Sequence, residues 1–230
     1  MKSTTIFGVL LASAQVQAHA VLTYPAWRGN NLLSNESFPF GMARTYPCGG
    51  MPLTTNRTFY PLDGSGAFAF EPGWSPGHGL NAVYINLCIG PGEGSDAKEV
   101  ANCSLTITGP LELKGPHDNQ YEGQVCIPRL GLPKGVVPKK GDLASLQVVQ
   151  IVKHGAALYS CADIIFTDDL AQVPAVNETN CFNSSGLSLK PAKFIADGDA
   201  AAAGSGAAAM MQNSGLLSAA FGLMVFAYLL

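Results

Sequence analysis

The sequence contains few charged residues, 13% of the chain, and no cluster of lysine and arginine. Its formal net charge at pH 7 is −3. Because proteins that bind nucleic acid present a basic patch, this composition argues against a nucleic-acid partner. Tryptophan is also scarce, with only Trp27 and Trp74. A broad aromatic surface of the kind that grips a polymer is therefore poorly supported.

Long apolar runs are also missing, since none reaches the roughly 20 residues that a membrane-spanning helix needs. Residues 1–18 begin with Lys2, continue through a short apolar stretch and end in Val16-Gln17-Ala18, which has small residues where signal peptidase reads the chain. This pattern predicts a signal peptide over residues 1–18. Cleavage after Ala18 leaves His19 as the first residue, although Ala20 offers a competing small residue.

The last residues, Gly215 to Leu230, are uncharged and apolar, and a stretch of small residues from Ala200 to Ala209 precedes them. Small residues, a short spacer and an apolar tail form the signal for attachment of a glycosylphosphatidylinositol (GPI) lipid. An ordinary C-terminal membrane helix is the alternative, but no basic cluster follows the tail. We expect residues 205–230 to be removed and the lipid to be attached at Gly204. Alternative attachment residues are Ser205, Asn213 and Ser214.

Six cysteines and five Asn-X-Ser/Thr sequons indicate an oxidised, glycosylated extracellular protein. The sequons begin at Asn35, Asn56, Asn102, Asn177 and Asn183. Asn102 is the least typical, because its middle residue is Cys103. Six cysteines allow about 15 sets of pairs; we expect Cys48–Cys161, Cys88–Cys103 and Cys126–Cys181. Together with the lipid, these features predict a location on the outer face of the plasma membrane or in the cell wall.

Between the two signals we expect one domain, residues 19–173, followed by a glycosylated Ser/Ala/Gly-rich stalk, residues 174–204. Short β-branched and aromatic runs bounded by Gly and Pro predict strands, and no long 3.6-residue periodicity predicts a helix. This pattern is typical of an all-β antiparallel sandwich, here stapled by disulfides. Residues 26–66 and 110–141 are then surface loops. The predicted strands are 80–89, 103–108, 143–152 and 159–167, the last two joined in a hairpin at His154-Gly155-Ala156-Ala157.

An N-terminal histidine can chelate a metal in a way that no internal histidine can. Its free α-amine and its imidazole Nδ1 bind one ion together, and a second imidazole completes three nitrogens in one plane. That geometry favours Cu(II) and can adapt to Cu(I). His19 therefore predicts a copper site. The alternative is that signal cleavage leaves a histidine at the N-terminus by chance. His19 alone favours neither explanation over the other.

Three other histidines are candidates for the second imidazole, because the site needs only a fold that brings one of them beside the N-terminus. His78 precedes the 80–89 strand in a Gly-rich loop near Trp74, His154 lies in the predicted hairpin turn, and His117 follows Gly115-Pro116. A histidine at a strand end and flanked by glycine is well placed to face a surface site. We rank the candidates His78, His154 and His117.

Asp163 is a carboxylate in an otherwise apolar predicted strand, where alternation puts it on one face with Tyr159 and Cys161. A buried carboxylate needs a partner. A metal ion is one such partner. The alternative is a structural aspartate bonded to loop amides, to Arg28 or to Arg44.

The segments His19-Ala20-Val21-Leu22-Thr23-Tyr24-Pro25, Arg28-Gly29, Cys48-Gly49-Gly50 and Cys161-Ala162-Asp163-Ile164 follow one another as in a fungal family. The chain resembles the GPI-anchored copper-binding proteins related to lytic polysaccharide monooxygenases, and the resemblance covers signal, domain, stalk and anchor. It implies an immunoglobulin- or fibronectin-like β-sandwich. It also implies one copper ion held by a histidine brace of His19 and His78, with Asp163 as an additional ligand. Cys88 and Cys103 go beyond the family's pattern.

The family is associated with copper acquisition, so the resemblance implies copper capture or homeostasis, with a plasma-membrane copper transporter as a candidate partner. A carboxylate at the copper would favour Cu(II) and fill a position that O₂ needs. This argues against the first alternative, a copper-dependent enzyme that cleaves polysaccharide oxidatively. The second alternative is a metal-free structural or adhesion module of the cell wall. We expect a monomer, because nothing in the sequence indicates oligomerisation.

Overall fold

The protein is described by a computed structural model for residues 20–29, 43–72, 79–89, 103–115 and 123–192. In these residues nine strands and a short 3-10 helix, Leu170–Gln172, are formed. No helix among them is both long and apolar enough to cross a membrane. The strands are β1 (Val21–Tyr24), β2 (Thr58–Pro61), β3 (Phe68–Glu71), β4 (Leu80–Ile89), β5 (Leu105–Lys114), β6 (Val125–Ile127), β7 (Leu143–Val152), β8 (Ala157–Thr167) and β9 (Ser188–Pro191).

The strands form two sheets, which confirms the predicted all-β class. The smaller sheet has the order β1-β3-β6 and is antiparallel throughout. The larger sheet has the order β2-β8-β7-β4-β5-β9. Its strands are antiparallel except at one edge, where β2 runs parallel to β8. The antiparallel prediction therefore holds for every described strand pair except β2–β8.

The core lies between the inner faces of the two sheets. Strand alternation places Val83, Ile85 and Leu87 of β4 on the inner face of the larger sheet, and Phe68 and Phe70 of β3 belong to the same buried cluster. Full burial of each such side chain contributes about 1.5–3 kcal/mol relative to exposure. Two sheets that share one apolar interior constitute a β-sandwich.

The predicted strands 80–89 and 143–152 coincide with β4 and β7, and β8 begins two residues before its predicted start. The predicted strand 103–108 differs from β5 at both ends, because β5 begins two residues later, at Leu105, and continues through Gly109-Pro110 to Lys114. Its pairing with β4 shifts register between Val83 and Ile85. This irregularity opposite Gly109-Pro110 lets the strand accept a proline, which has no amide to donate.

Two regions predicted as loops also contain strands. β2 lies within residues 26–66, and β6 with the end of β5 lies within residues 110–141. These strands are short, and β6 has only three residues. Sequence alternation over so few residues is too brief to distinguish a strand from a loop.

All three predicted disulfides are confirmed, and no cysteine is free. Cys48–Cys161 ties the segment 43–57 to the outer face of the larger sheet. A hydrogen bond from Gln147 Nε2 to the Pro47 carbonyl (2.6 Å) adds to this attachment. The segment therefore covers the outer face of β7 and β8.

The folded unit extends beyond the predicted boundary at Val173. β9 pairs with β5 at the edge of the larger sheet, and Cys181 forms a disulfide with Cys126 of β6. The Gln124 amide donates to Ser184 Oγ (2.9 Å). Residues as far as Ala192 thus belong to the same unit as the sandwich.

Candidate metal centre

One end of the sandwich, which we call the hairpin end, is formed by the turn between β7 and β8 and the strand ends beside it. Here Asn81 of β4 is paired with Val152 of β7, and Leu80 is paired with Lys114 of β5. Just beyond these pairs, the Gly115 amide donates to the Gly79 carbonyl (3.0 Å). The starts of β4 and β8 therefore lie beside the ends of β5 and β7.

Ala20 reaches the hairpin end from the smaller sheet. It is 3% exposed and belongs to one buried cluster with Val152 and Leu158. Two residues further along, the Leu22 amide donates to Ser160 Oγ (3.3 Å). The residue before β1 is thus fixed against the first residues of β8.

His19 and His78, the two predicted brace histidines, lie outside the described residues, as does His117. Their chain neighbours are described, because His19 precedes Ala20 and His78 precedes Gly79. Consecutive Cα atoms are about 3.8 Å apart. His19 and His78 are therefore covalently joined to two residues of the hairpin end, and His117 follows Gly115 by two residues.

His154 is described, and it is exposed in the turn between β7 and β8. The Gly155 amide donates to the Val152 carbonyl (2.8 Å), and the Val152 amide donates to the Ala156 carbonyl (3.0 Å). Gly155 has φ of 89°, a conformation that glycine adopts without steric cost. The turn therefore fixes the backbone at His154 close to Val152, which belongs to the same buried cluster as Ala20.

Asp163 is 1% exposed on the outer face of the larger sheet, where its carboxylate accepts six hydrogen bonds from three residues. Arg28 Nη2 donates to Oδ1 at 2.7 Å, and Arg28 Nε lies 3.2 and 3.1 Å from the two oxygens. Ser145 Oγ donates to Oδ1 (2.6 Å), while the Thr54 amide and hydroxyl donate to Oδ2 (both 3.1 Å). These are the bonds of a structural aspartate held by an arginine and a loop amide.

The electrostatics of Asp163 agree with that interpretation. Burial by itself raises the pKa of the carboxyl group. The hydrogen bonds from Arg28 and Ser145 and the charge of Arg28 outweigh burial, so the pKa lies below its ordinary value of 3.8. The carboxylate is therefore ionised and neutralised by Arg28 without a metal ion.

Asp163 lies five residues along β8 from Leu158, which shares a buried cluster with Ala20. Arg28, the ion-pair partner of Asp163, lines one cavity together with Ala20 and Cys161. The role of Asp163 as a copper ligand stays a prediction that the contacts of its carboxylate do not support.

Among the described residues, one group of three potential metal-binding side chains has its ligand atoms within 4.8 Å of one another, namely Cys48, Cys103 and Cys161. All three sulfurs are in disulfides. A disulfide sulfur is not a thiolate, the form in which cysteine binds metals. This group does not offer a metal site in the oxidised protein, whereas histidine nitrogens are suitable ligands for copper.

Sequence reasoning missed two buried amides at the hairpin end. Asn81 is 5% exposed and Gln150 is fully buried. Strand alternation places Gln150 on the same face of β7 as Leu146 and Val148. This pattern is the feature of the sequence from which a buried Gln150 could have been predicted. Their position at the strand ends becomes evident only from the pairing of β4 with β7.

The structure defines a class of protein: a disulfide-stapled β-sandwich in which the residue before the first strand, the start of β4, the end of β5 and the β7–β8 turn share one end. The profile of the family described as copper acquisition factor, BIM1-like, matches residues 17–186. The chain belongs to this family, and its function is related to copper.

The chain is also similar to fungal proteins named as lytic polysaccharide monooxygenase-like. It is 48% identical over 185 residues to the protein ham-7 of Neurospora crassa, a match that covers 80% of each chain. Protein X325 of Hypocrea jecorina is 48% identical over 179 residues, 76% of this chain and 75% of the relative. Protein X325 of Aspergillus fumigatus is 42% identical over 197 residues, 78% and 79% of the two chains. These matches confirm the resemblance to the fungal copper-binding proteins related to lytic polysaccharide monooxygenases.

Proposed function

We propose that the mature protein binds one copper ion through the α-amine and imidazole of His19 and the imidazole of His78, and that it captures copper at the cell surface. One observation carries this proposal. Ala20, the residue after His19, belongs to one buried cluster with Val152 and Leu158, and Val152 is paired with Asn81, three residues after His78. Two segments far apart in the sequence are thus attached to the same end of the larger sheet, as a shared site requires.

The donor set suits the metal. An amine and two imidazoles offer three nitrogens, which are ligands that copper prefers and which bind in their neutral form. When bound, copper would supply a cation that alternates between two oxidation states. The sandwich would hold the amine close to the imidazoles, because Ala20 is buried against β7 and β8. His154 and His117 are the alternative sources of the second imidazole.

We leave Asp163 out of the proposed ligand set, because Arg28, Ser145 and Thr54 occupy its carboxylate. Copper capture needs only a site that binds and releases the ion, and the family's description as a copper acquisition factor supports this function. The oxidative polysaccharide-cleaving enzyme is the alternative, since the relatives are named for their likeness to such enzymes.

The test is a copper titration followed by Cu(II) electron paramagnetic resonance (EPR). The mature protein starting at His19, confirmed by mass spectrometry, is compared with the same chain carrying two extra residues before His19. We expect one tight equivalent and a nitrogen-rich spectrum for the natural chain, with both lost in the extended one. Equal and weak binding by both forms would refute the brace. Copper-dependent peroxide formation, or oxidised products from a cell-wall polymer, would instead favour the enzyme.

We further propose that the protein is displayed on the outer face of the plasma membrane by a GPI lipid at Gly204 and carries N-linked glycans. Gly204, Asn35 and Asn102 lie outside the described residues, whereas Asn56, Asn177 and Asn183 are described and exposed, as glycan attachment requires. Release by a GPI-specific phospholipase C and a loss of mass on enzymatic deglycosylation are expected. Retention in the membrane after phospholipase treatment would favour a C-terminal membrane helix instead.

A further inference from the structure

Two disulfides lie against each other on the outer face of the larger sheet. Cys161 belongs to β8 and is bonded to Cys48 of the segment 43–57. Cys88, near the end of β4, is bonded to Cys103, which precedes β5. The sulfurs of Cys48, Cys103 and Cys161 all lie within 4.8 Å of one another. Cys103 therefore has a second disulfide beside its own.

This proximity distinguishes the two sulfurs of the Cys88–Cys103 disulfide. The sulfur of Cys88 is outside the group of three, whereas that of Cys103 belongs to it. The Cys103 amide also donates to Tyr46 Oη (3.0 Å), and Tyr46 precedes Cys48 by two residues. Cys103 is thus fastened to the same segment that carries one sulfur of the neighbouring disulfide.

The segment that carries Cys48 is also held by contacts that do not involve sulfur. The Ala43 carbonyl accepts from the Tyr159 amide of β8 (2.8 Å). The rings of Tyr46 and Tyr159 meet edge to face, with centroids 5.6 Å apart. Because these contacts do not depend on the Cys48–Cys161 bond, they keep the three sulfurs close together when that bond opens.

The three cysteines are buried as well as close. Cys48 and Cys161 are 2% exposed, and Cys103 is 4% exposed. A thiol from solution reaches such sulfurs only when the surrounding structure opens, whereas Cys103 is in place in the closed fold. A nucleophile held in the same fold acts at a high effective concentration. Cys103 is therefore the favoured partner for exchange with the Cys48–Cys161 disulfide.

We propose that Cys103 is the nucleophile of a thiol–disulfide exchange site: once its bond to Cys88 is opened, its thiolate attacks the Cys48–Cys161 disulfide. A dithiol reductant that reaches Cys88–Cys103 during a local opening supplies two electrons and leaves as its own disulfide, while both cysteines become thiols. Cys103 then loses its proton and forms a bond to Cys48 or Cys161. The old S–S bond breaks, and the displaced sulfur takes up a proton.

The exchange step consumes no electrons, and it moves the reduction from one disulfide to the other. Either product removes the covalent link between the segment 43–57 and β8. Reduction near the end of β4 is thereby passed to the bond that fastens the cover of the outer face. No step of the exchange involves copper, so it stands or fails separately from the proposed function.

The test uses two variants that lose the same disulfide and each keep one unpaired cysteine. Cys88→Ser leaves the Cys103 thiol beside the Cys48–Cys161 disulfide, so no reductant is needed. Cys103→Ser leaves the Cys88 thiol instead and is the matched control. Both proteins are purified without reductant, incubated at mildly alkaline pH, and treated with N-ethylmaleimide in mild acid. Unreduced peptides are then mapped by mass spectrometry.

We expect Cys88→Ser to lose part of its Cys48–Cys161 peptide and to gain peptides that join Cys103 to Cys48 or to Cys161, with maleimide on the displaced cysteine. Cys103→Ser should retain the Cys48–Cys161 peptide in full and carry maleimide on Cys88 alone. Maleimide confined to Cys103 in the first variant would overturn the proposal. An equal loss of the Cys48–Cys161 peptide in both variants would overturn it too, because the exchange would then not depend on Cys103.

The wild type provides a second measurement should either variant fail to fold. It is treated with a limiting amount of dithiothreitol, then quenched and mapped in the same way. Peptides that join Cys103 to Cys48 or to Cys161 are expected. Reduced Cys103 beside a fully retained Cys48–Cys161 bond would contradict the proposal. Pairs that include Cys126 of the third disulfide would also contradict it, because they indicate exchange in an unfolded chain.

Discussion

Asp163 and Arg28 form a buried ion pair, with their side chains 0% and 4% exposed. Removal of one charge from such a pair leaves the other uncompensated, which typically costs about 3–5 kcal/mol. Asp163→Asn should therefore lower the free energy of unfolding by that amount in denaturant titrations. Asp168→Asn, which disrupts the exposed pair with Lys140, is the control and should change stability little. A stable Asp163→Asn variant that has lost copper binding would establish Asp163 as a ligand instead.

The same pair predicts how stability depends on pH. The pKa of Asp163 is lowered by its partners, so its contribution is fully present above the ordinary value of 3.8 and is lost as the pH falls through the lower folded-state pKa. The free energy of unfolding of the wild type should fall in acid below about pH 4. Asp163→Asn should lack this component. Parallel pH profiles for the two proteins would contradict the assignment.

Single substitutions distinguish His78 from His154 as the source of the second imidazole. His78→Ala should abolish tight copper binding, because one of three nitrogen ligands is lost. His154→Ala should change affinity far less, because in the proposed ligand set His154 does not bind the ion. Titration with copper and EPR report both changes. The reverse pattern would assign the brace to His154.

At the scale of elements, strands were predictable where alternation persisted. β4 and β7 have ten residues each, enough for a period of two to be recognised, and both were predicted with correct bounds. β1, β2, β3, β6 and β9 have three or four residues and were missed. Their positions depend on contacts with distant strands, such as the parallel pairing of β2 with β8, which local sequence does not specify.

The last strand, β9, supports the fold in a way that a flexible stalk would not. It covers the edge of β5, and Leu187 and Leu189 pack against the core. Truncation after Val173 would remove β9 and the Cys126–Cys181 disulfide, whose loss alone typically costs about 2–5 kcal/mol. We expect this chain to be strongly destabilised in thermal unfolding, and a chain ending at Ala192 to melt like the longer protein. Equal melting temperatures for the two truncations would restore the boundary at Val173.

At the scale of the whole molecule, the sequence indicated which residues could bind copper but not where they would meet. An N-terminal histidine is recognisable as a chelator without any structural information. The convergence of Ala20, Gly79 and the β7–β8 turn follows from strand register and from the packing of one sheet on the other. Asp163 illustrates the limit: its need for a partner was evident, whereas Arg28, 135 residues away, was one of several candidates until the fold was known.

The proposed ligands enter from different sheets, and this predicts a link between copper and stability. β1 belongs to the smaller sheet and β4 to the larger one, so an ion held by His19 and His78 would join the two sheets at the hairpin end. A ligand at 100 times its Kd stabilises the folded state by about 2.7 kcal/mol, which corresponds to about 5–10 °C in melting temperature for a domain of this size. Differential scanning calorimetry of the chain with the natural His19 terminus should show this rise on addition of Cu(II), and a chelator should reverse it.

The chain extended by two residues is the control and should show little change, because its α-amine no longer belongs to His19. An equal rise in both chains would mean that copper stabilises the sandwich from a site that does not involve the N-terminus.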